Sequence, residues 1–228
     1  MITPRLQAIA NHVLENEIMA DIGTDHGYLP VFLMEQRKIL KAIAADINSK
    51  PLEKAKKAVQ ESGFDASIET RLGSGLSVLL PGEAGTIVIA GMGGYLIRDL
   101  LEAELKVAKS AHRLILQPMN NAEILRKYLE THGFFIVNED LAKEERRIYE
   151  IIVVEKGEMT ITNPLDYRIG FEAAKKKHPL LSDLIDRQLE LEYKIIANTR
   201  DKETKMPKEQ YLKSTATITA LLEVKDGG

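Results

Sequence analysis

The sequence predicts an α/β protein in which a Rossmann-like, seven-stranded sheet is followed by an appended C-terminal α-helical hairpin. Three observations support this class. Five short apolar runs alternate with helical segments, which is typical of a doubly wound parallel sheet. Two further runs are joined by a link too short for a crossover helix, which predicts an antiparallel pair. After Lys156 the strand pattern disappears, so we expect one domain at residues 1–156 and a helical domain at 157–228.

The individual elements follow from apolar periodicity and from turn residues. Strands are expected near residues 18–22, 41–46, 67–72, 86–90, 113–117, 134–139 and 148–155. A helix between the second and third strands has Ser49 as its predicted cap, Pro51 in its first turn and Gly63 at its end. Another helix is expected from Ala122 to His132. The polar link between the last two strands covers residues 142–145.

The C-terminal segment predicts two helices that pack along a narrow apolar seam. The first helix is expected to begin near Pro179 and the second after Pro207, with polar residues 200–206 between them. The predicted seam has alternating three- and four-residue spacing. It consists of Leu181, Leu184, Leu191 and Ile195 in the first helix, with Gln188 interrupting, and of Tyr211, Thr215, Ile218 and Leu222 in the second.

Composition excludes several classes of function. The chain has 228 residues, 44% of them hydrophobic, and no cysteine. Disulfides, thiolate metal sites and a cysteine nucleophile are therefore excluded, and a reducing, cytoplasmic location is expected. The N-terminus is too polar for a signal peptide, and no apolar run approaches the roughly 20 residues that span a bilayer. The net charge of −3 does not by itself indicate a nucleic-acid partner.

The segment ADIGTDHGYLP, residues 20–30, follows the first strand and predicts a nucleoside site. Gly23 and Gly27 open a tight turn, and Asp46 ends the next strand about twenty residues further on, where it can accept hydrogen bonds from a ribose. The spacing lacks the third glycine of a dinucleotide site. Asp21 and Asp25 would repel a pyrophosphate and suit a cationic ligand such as S-adenosylmethionine. The alternative is an ordinary strand–helix turn.

Two later loops supply further candidate cofactor contacts at strand ends. Gly73 and Ser74 follow the third strand, where Ser74 could bond an adenine edge, although a plain glycine turn is equally consistent. Gly91 and Met92 begin a GMGG segment after the fourth strand, which is either a close backbone approach to a ligand or a flexible loop. The segment contains no Asn/Asp-Pro-Pro-aromatic stretch.

The fifth strand ends in an amide-rich segment, Gln117-Pro118-Met119-Asn120-Asn121. Amides donate and accept hydrogen bonds, so they can recognise a base edge. We predict Gln117 and Asn120 as catalytic residues and Asn121 as either a substrate contact or the cap of the following helix.

The strings DIGTDHGYLP, GMGG and LILQPMNN together resemble the bacterial tRNA adenine-22 N1-methyltransferase family. The resemblance covers Met1 to about Lys156. It implies a class I methyltransferase core, S-adenosylmethionine as cofactor and tRNA as substrate. Ring nitrogen N1 of adenine is a neutral nucleophile, so the reaction requires alignment in a dry pocket rather than a general base.

A tRNA substrate would need a local basic surface. The candidates are Arg5, Lys143, Arg146, Arg147, Lys175, Lys176 and Lys177, each of which could equally belong to a solvated charged face. No metal site is predicted, and a monomer or weak dimer is expected. Three other interpretations remain: a small-molecule methyltransferase with a dimerising hairpin, a non-catalytic RNA- or nucleoside-binding module, and a nicotinamide dehydrogenase. The last is disfavoured by the missing glycine and the terminal strand hairpin.

Overall fold

The computed structural model describes residues 2–200 and 208–226. The chain divides into two compact units, Met1–Thr160 and Ile161–Gly228. The strands of the first unit are β1 (Ile18–Ile22), β2 (Lys41–Asp46), β3 (Ile68–Leu72), β4 (Thr86–Met92), β5 (Arg113–Pro118), β6 (Phe134–Glu144) and β7 (Arg147–Lys156). Its helices are α1 (Pro4–His12), α2 (Tyr28–Glu35), α3 (Ser49–Glu61), α4 (Gly94–Ala103), α5 (Leu105–Ser110) and α6 (Ala122–Thr131).

The seven strands form one sheet in the order β3-β2-β1-β4-β5-β7-β6. The pairs among β1 to β5 are parallel, whereas β7 is antiparallel to both β5 and β6. The predicted fold class is therefore confirmed. The carboxyl ends of β1, β2, β4, β5 and β6 lie at one edge of this sheet, which is where ligands of open α/β sheets bind.

Two local predictions differ from the structure. The last two strands continue to Glu144 and from Arg147, so the predicted four-residue polar link is mostly strand. Glu145, with φ of 53°, begins the tight turn between them, and pairing across a narrow turn extends the ladder. Ser49 is the first residue of α3 rather than its cap, and Asn48 occupies the cap position.

The core of the first unit is an apolar layer between the sheet and the helices around it. Ile9 of α1, Leu33 of α2 and Val59 of α3 pack in one cluster with strand residues such as Val88 and Ile115. Each is almost fully buried, which contributes roughly 1.5–3 kcal/mol per large side chain. This packing holds the strand ends in register and fixes the loops that follow them.

A buried ion cluster joins α6 to the last two strands. Arg126 is 1% exposed, and it donates from Nε to Glu139 Oε1 at 2.7 Å and from Nη2 to Glu150 Oε2 at 2.9 Å. Burial alone would lower the pKa of Arg126, but the charges of Glu139 and Glu150 outweigh it and hold that pKa above its ordinary value. The cluster ties the helix that follows the amide-rich segment to the end of the sheet.

The second unit contains α7 (Asp166–Ile169), α8 (Phe171–Lys175), α9 (Leu181–Arg200) and α10 (Lys208–Asp226). Lys225 near the end of α10 pairs with Asp186 near the start of α9, so the two helices are antiparallel. The predicted polar link covers residues 200–206, of which only residue 200 is described. The predicted helix start at Pro207 also lies outside the described residues.

The predicted seam of this helical pair is wrong in its register. Leu191, Ile195, Tyr211, Thr215 and Leu222 are exposed. Among the described residues of α9 and α10, the buried positions are Leu184, Ile185, Leu189, Glu192, Ser214 and Leu221. Apolar residues are spread around all sides of α10, so the spacing of apolar residues does not indicate which face is buried. Packing against other helices determines the buried face. In the described part of the chain, we find no helix both long and apolar enough to cross a bilayer.

Candidate functional site

A cleft of about 370 Å³ lies at the carboxyl ends of β1, β2, β3 and β4. It brings together six of the residues predicted to bind a cofactor: Gly23, Asp46, Gly73, Ser74, Gly91 and Met92. Eight further lining residues were not predicted as cofactor contacts: Ile22, Ala45, Ile47, Asn48, Gly75, Ala90, Leu96 and Leu100. Most of these are apolar or lack a side chain beyond Cβ, so they carry no chemical signal that separates them from core or turn residues; Asn48, which follows Asp46 closely, is the polar exception.

The loop after β1 is held close to the end of β2. The backbone N–H groups of Gly23 and Thr24 both donate to Ala45 O, at 2.8 and 2.9 Å. Gly23 has φ of +78°, and a Cβ added there would lie 2.2 Å from Cε of Met92. The positive φ is therefore the feature that favours glycine here, and the end of the flexible Met92 side chain lies over the loop where a Cβ would be.

Asp46 is positioned at the opening of the cleft, where β2 ends. Its Oδ1 accepts a hydrogen bond from the backbone N–H of Asn48 at 2.6 Å, which fixes the carboxylate beside the cap of α3. Because a carboxylate can accept several hydrogen bonds, Asp46 can also accept from a ligand hydroxyl at this position.

The Asp21 carboxyl group is almost completely buried at the end of β1, and Asp21 is not among the described residues that line the cleft. Its direct contact with a cofactor therefore remains a prediction. Burial raises its pKa from 3.8 to about 6, against the lowering effects of Thr24 and Arg5, and the charge of Asp46 adds to the rise. A buried carboxylate of raised pKa is stabilised when a cation approaches it. This suits the cationic ligand predicted from the sequence.

Asp25 and Gly27 are not among the residues that line the cleft within the described chain. Asp25 is exposed and its Oδ1 lies 3.3 Å from His26 Nε2. Gly27, with φ of +67°, occupies the cap position of α2, and a Cβ there would lie 3.4 Å from Ala55 of α3. That contact is an ordinary van der Waals distance, so the positive φ at the start of α2 is what favours glycine at this position. Direct contact of Asp25 and Gly27 with a cofactor remains a prediction.

The loop after β3 is also shaped by packing. A Cβ on Gly73 would lie 2.5 Å from Val78 Cγ1, while the N–H of Gly73 donates to Asp46 O at 3.0 Å. Ser74 is exposed, and its carbonyl oxygen accepts from the Ser77 hydroxyl at 2.6 Å. Ser74 lines the cleft, and its contact with a base remains a prediction.

Gly91 forms a bulge between β4 and β5, where the pairing shifts between Ala90 and Met92. Its N–H is displaced from the ladder and donates to Gln117 Oε1 at 3.1 Å. The same oxygen accepts from Arg5 Nη1 at 2.9 Å, and Gln117 Nε2 donates to Pro118 O at 3.0 Å. Because Gln117 is fully buried and its amide is engaged by the protein, we propose that it positions the two loops rather than acting on a substrate.

The GMGG segment packs directly against the amide-rich segment. Met119 N donates to Met92 O at 2.8 Å, and Gly94 N donates to Asn120 O at 3.0 Å. A Cβ on Gly94 would lie 2.4 Å from Asn121 O, and one on Gly93 would lie 3.1 Å from Asn120 Oδ1. Gly93 and Gly94 thus allow the two loops to contact each other closely. The sequence analysis had interpreted these glycines as allowing close approach of the backbone to a ligand.

Asn120 is exposed beside these glycines, and its Oδ1 accepts from Asn121 Nδ2 at 2.9 Å. Asn121 has φ of 53° and stands at the cap position of α6 without a side-chain bond to the helix. The capping role considered for Asn121 is therefore not formed. Both exposed asparagines follow β5 at the carboxyl edge of the sheet.

Arg5, predicted to contact substrate, lies at the same edge because α1 packs beside β6 and β7. Its backbone N–H donates to Glu144 Oε1 at 2.9 Å, and its guanidinium lies 5.4 Å from the ring centroid of Tyr149. Its bond to Gln117 links residues 112 positions apart, which no local sequence pattern indicates.

The other basic candidates are separated between the two units. Lys143, Arg146 and Arg147 are exposed at the turn from β6 to β7, at the same edge of the sheet as the cleft. Lys175, Lys176 and Lys177 belong to the second unit. Glu172 lies 3.4 Å from Lys175 Nζ and 3.7 Å from Lys176 Nζ, which reduces their local positive charge.

The cleft residues fit S-adenosylmethionine. The backbone of Gly23, Gly73 and Gly91 lines the cleft without side chains, and Asp46 is placed to accept hydrogen bonds from a ribose. Asp21, buried at the end of β1 next to the lining residue Ile22, favours a cation nearby. Among residues 2–200 and 208–226, no group of three or more His, Cys, Asp or Glu side chains could hold a metal ion.

The sheet order and this cleft define a Rossmann-like methyltransferase. A family model described as a methyltransferase domain matches residues 2–152. A Bacillus subtilis tRNA (adenine(22)-N(1))-methyltransferase is 40% identical over 157 residues, which cover 69% of this chain and 66% of that protein. The crystal structure of the B. subtilis M1A22 tRNA methyltransferase TrmK is 32% identical, covers 99% of both chains and has a TM-score of 0.88.

A third comparison concerns the cofactor. Streptococcus pneumoniae Sp1610, solved in complex with S-adenosyl-L-methionine, is 34% identical, with coverage of 99% of this chain and 100% of that chain and a TM-score of 0.88. The chain belongs to the bacterial tRNA (adenine-22-N1)-methyltransferase family, as the sequence motifs had indicated.

Proposed function

We propose that this chain transfers the methyl group of S-adenosylmethionine to ring nitrogen N1 of adenine 22 in tRNA. The observation that supports this function best is the cleft lined by Gly23, Asp46 and Met92 in a chain of this family, with the amides of Asn120 and Asn121 beside it. A tRNA substrate would place the enzyme in the cytoplasm. We expect a monomer or weak dimer, which light scattering measures.

The residues act mainly by alignment. S-adenosylmethionine supplies a methyl group on an activated sulfonium leaving group. Asp46 would hold the ribose, Asp21 would favour the cationic end, and Asn120 would orient the base edge. Since N1 attacks as a neutral lone pair, the site needs no general base, and the carboxylates and amide oxygens can stabilise the charge that develops on the base.

The decisive experiment incubates the protein with an unmodified tRNA transcript and methyl-labelled S-adenosylmethionine, then maps the methylated base. Label at N1 of adenine 22 is expected, and a transcript with guanine at that position should stay unlabelled. Binding of the cofactor without transfer to tRNA would favour the small-molecule methyltransferase or the non-catalytic module instead.

Replacement of Asp46 by alanine is expected to weaken S-adenosylmethionine binding by roughly 1.5–3 kcal/mol, because a charged hydrogen-bond acceptor is lost. Isothermal titration calorimetry measures this affinity. Glu53→Ala, which removes an exposed acid from α3, is the control and should bind as the wild type does. Unchanged affinity in a folded Asp46→Ala protein would show that the end of β2 does not hold the ribose.

Replacement of Asn120 by alanine is expected to lower kcat and kcat/KM together by about tenfold, since its contact with the base would form mainly in the transition state. Cofactor affinity should change little. Single-turnover methylation of tRNA measures the rate, and Asn11→Ala, an exposed asparagine of α1, serves as control. A wild-type single-turnover rate would remove Asn120 from the mechanism.

We propose that the second unit serves tRNA binding. A chain ending at Thr160 should still bind S-adenosylmethionine, because every cleft residue precedes that position. It should methylate tRNA poorly. Changing Lys175, Lys176 and Lys177 to glutamate should flatten the salt dependence of tRNA binding, with the slope falling by about 0.7–0.9 for each phosphate that the protein no longer neutralises.

The control for this charge reversal is the same change at Lys54, Lys56 and Lys57, three exposed lysines of α3. Undiminished kcat/KM in the shortened, folded chain would contradict the proposal. The helical pair would then be better explained as a dimer interface or a stability element.

A further inference from the structure

Exposed aromatic side chains flank the site at the ends of two neighbouring strands. Tyr28 is 54% exposed and begins α2, directly after the β1 loop, while Tyr95 is 47% exposed in the first turn of α4, after the GMGG segment. Because β1 and β4 are adjacent and parallel, both helices start at the cleft edge. Side chains in a helix tilt toward its N-terminus, so both tyrosines lean toward that edge.

Tyr28 is held in a preformed stack. Its ring lies parallel to that of His26, with ring centroids 5.1 Å apart and an interplanar angle of 6°. His26 adopts φ of +66°, which is unusual for a residue other than glycine, and its Nε2 lies 3.3 Å from Asp25 Oδ1. The stack is thus ordered before any partner arrives, although much of Tyr28 is in contact with water.

Tyr95 lies between the cleft and the amide-rich segment. The following residue, Leu96, lines the cleft, and the preceding residue, Gly94, donates its N–H to Asn120 O at 3.0 Å. The Arg98 guanidinium lies 5.1 Å from the centroid of the Tyr95 ring and is itself paired with Asp99. The ring is therefore supported from one side by a cation.

We propose that His26, Tyr28 and Tyr95, which we name the aromatic rim, stack unpaired bases of tRNA on either side of the methyl-transfer cleft. This inference rests on the proposed function. An adenine whose N1 is to be methylated must leave its pair and its stack, which costs free energy. Aromatic side chains offer the extruded base and its neighbours a new stacking surface, each worth about five- to 150-fold in affinity. The preformed His26–Tyr28 stack lowers the ordering cost of that contact.

The test measures tRNA binding, steady-state methylation and cofactor affinity for Tyr28→Ala, Tyr95→Ala and the corresponding phenylalanine variants. Alanine should raise the KM and Kd for tRNA by at least about fivefold per position, while phenylalanine keeps the stacking face and should remain near wild type. Phe135→Ala is the matched control, because Phe135 is 41% exposed at the start of β6, on the opposite edge of the sheet.

Three results would overturn the inference: alanine variants that bind and methylate tRNA like Phe135→Ala, phenylalanine variants as defective as the alanine variants, or a loss of S-adenosylmethionine affinity that accounts for the defect. Wild-type protein that binds the cofactor but never methylates tRNA would instead refute the proposed function. Thermal unfolding of each variant ensures that the comparison is made between folded proteins.

Discussion

Replacement of Arg126 by alanine is expected to lower the free energy of unfolding by about 3–5 kcal/mol, because it leaves two buried carboxylates without their counter-charge. Glu139 and Glu150 are 2% and 4% exposed and belong to adjacent strands, so neither can turn to solvent without disrupting the sheet. Denaturant unfolding at neutral pH measures the loss.

The control for this variant lies on the same helix. Lys127 pairs with Glu123 at 2.6 Å but is half exposed, so Lys127→Ala should cost only about 0.3–0.5 kcal/mol. Equal losses in the two variants would show that the buried cluster contributes no more than a surface pair. Because α6 begins directly after Asn121, we also expect the Arg126 variant to methylate more slowly in whatever fraction remains folded.

Replacement of Asp21 by asparagine is expected to stabilise the cofactor-free protein above pH 6 by up to about 3 kcal/mol, the free-energy equivalent of its pKa shift. The pKa is raised from 3.8 to about 6 in the folded state, so the folded protein binds the proton more tightly than the unfolded chain. The stabilising effect of that proton is fully present below pH 3.8 and is lost as the pH rises through 6. Asparagine does not ionise, so the variant lacks this pH dependence of stability. The stabilisation of Asp21→Asn relative to the wild type should therefore vanish near pH 4.

Calorimetric unfolding between pH 4 and pH 8 measures this difference, with Asp65→Asn, an exposed acid, as the control. The same substitution should weaken S-adenosylmethionine binding, since the buried charge that favours a cation is gone. This account would be contradicted if the stability difference between the wild type and Asp21→Asn stayed constant from pH 4 to pH 6. Burial of the Asp21 carboxylate thus costs stability while it favours ligand binding, a combination that is common at functional sites.

The sequence by itself determined the elements of the sheet and the loops at its carboxyl edge. Strand positions follow from local apolar runs, and the short link between the last two runs requires an antiparallel pair. Once parallel topology is established, the ends of β1, β2 and β4 must meet at one edge. Gly23, Asp46 and Gly91 could therefore be placed beside one cleft without any knowledge of distances.

Only the tertiary structure decided what the polar side chains and the remaining glycines contact. Gln117 is buried because Arg5 and the bulged Gly91 reach it from distant parts of the chain, and Gly94 lies against Asn121 rather than a ligand. Arg126 finds its partners on two strands of the terminal hairpin. Such contacts depend on which side chains the packed elements bring together, whereas periodicity reports only which face of each element is apolar. The same reason explains the helical pair, where tertiary packing rather than the sequence pattern selected Ser214 and Leu221 as the buried positions.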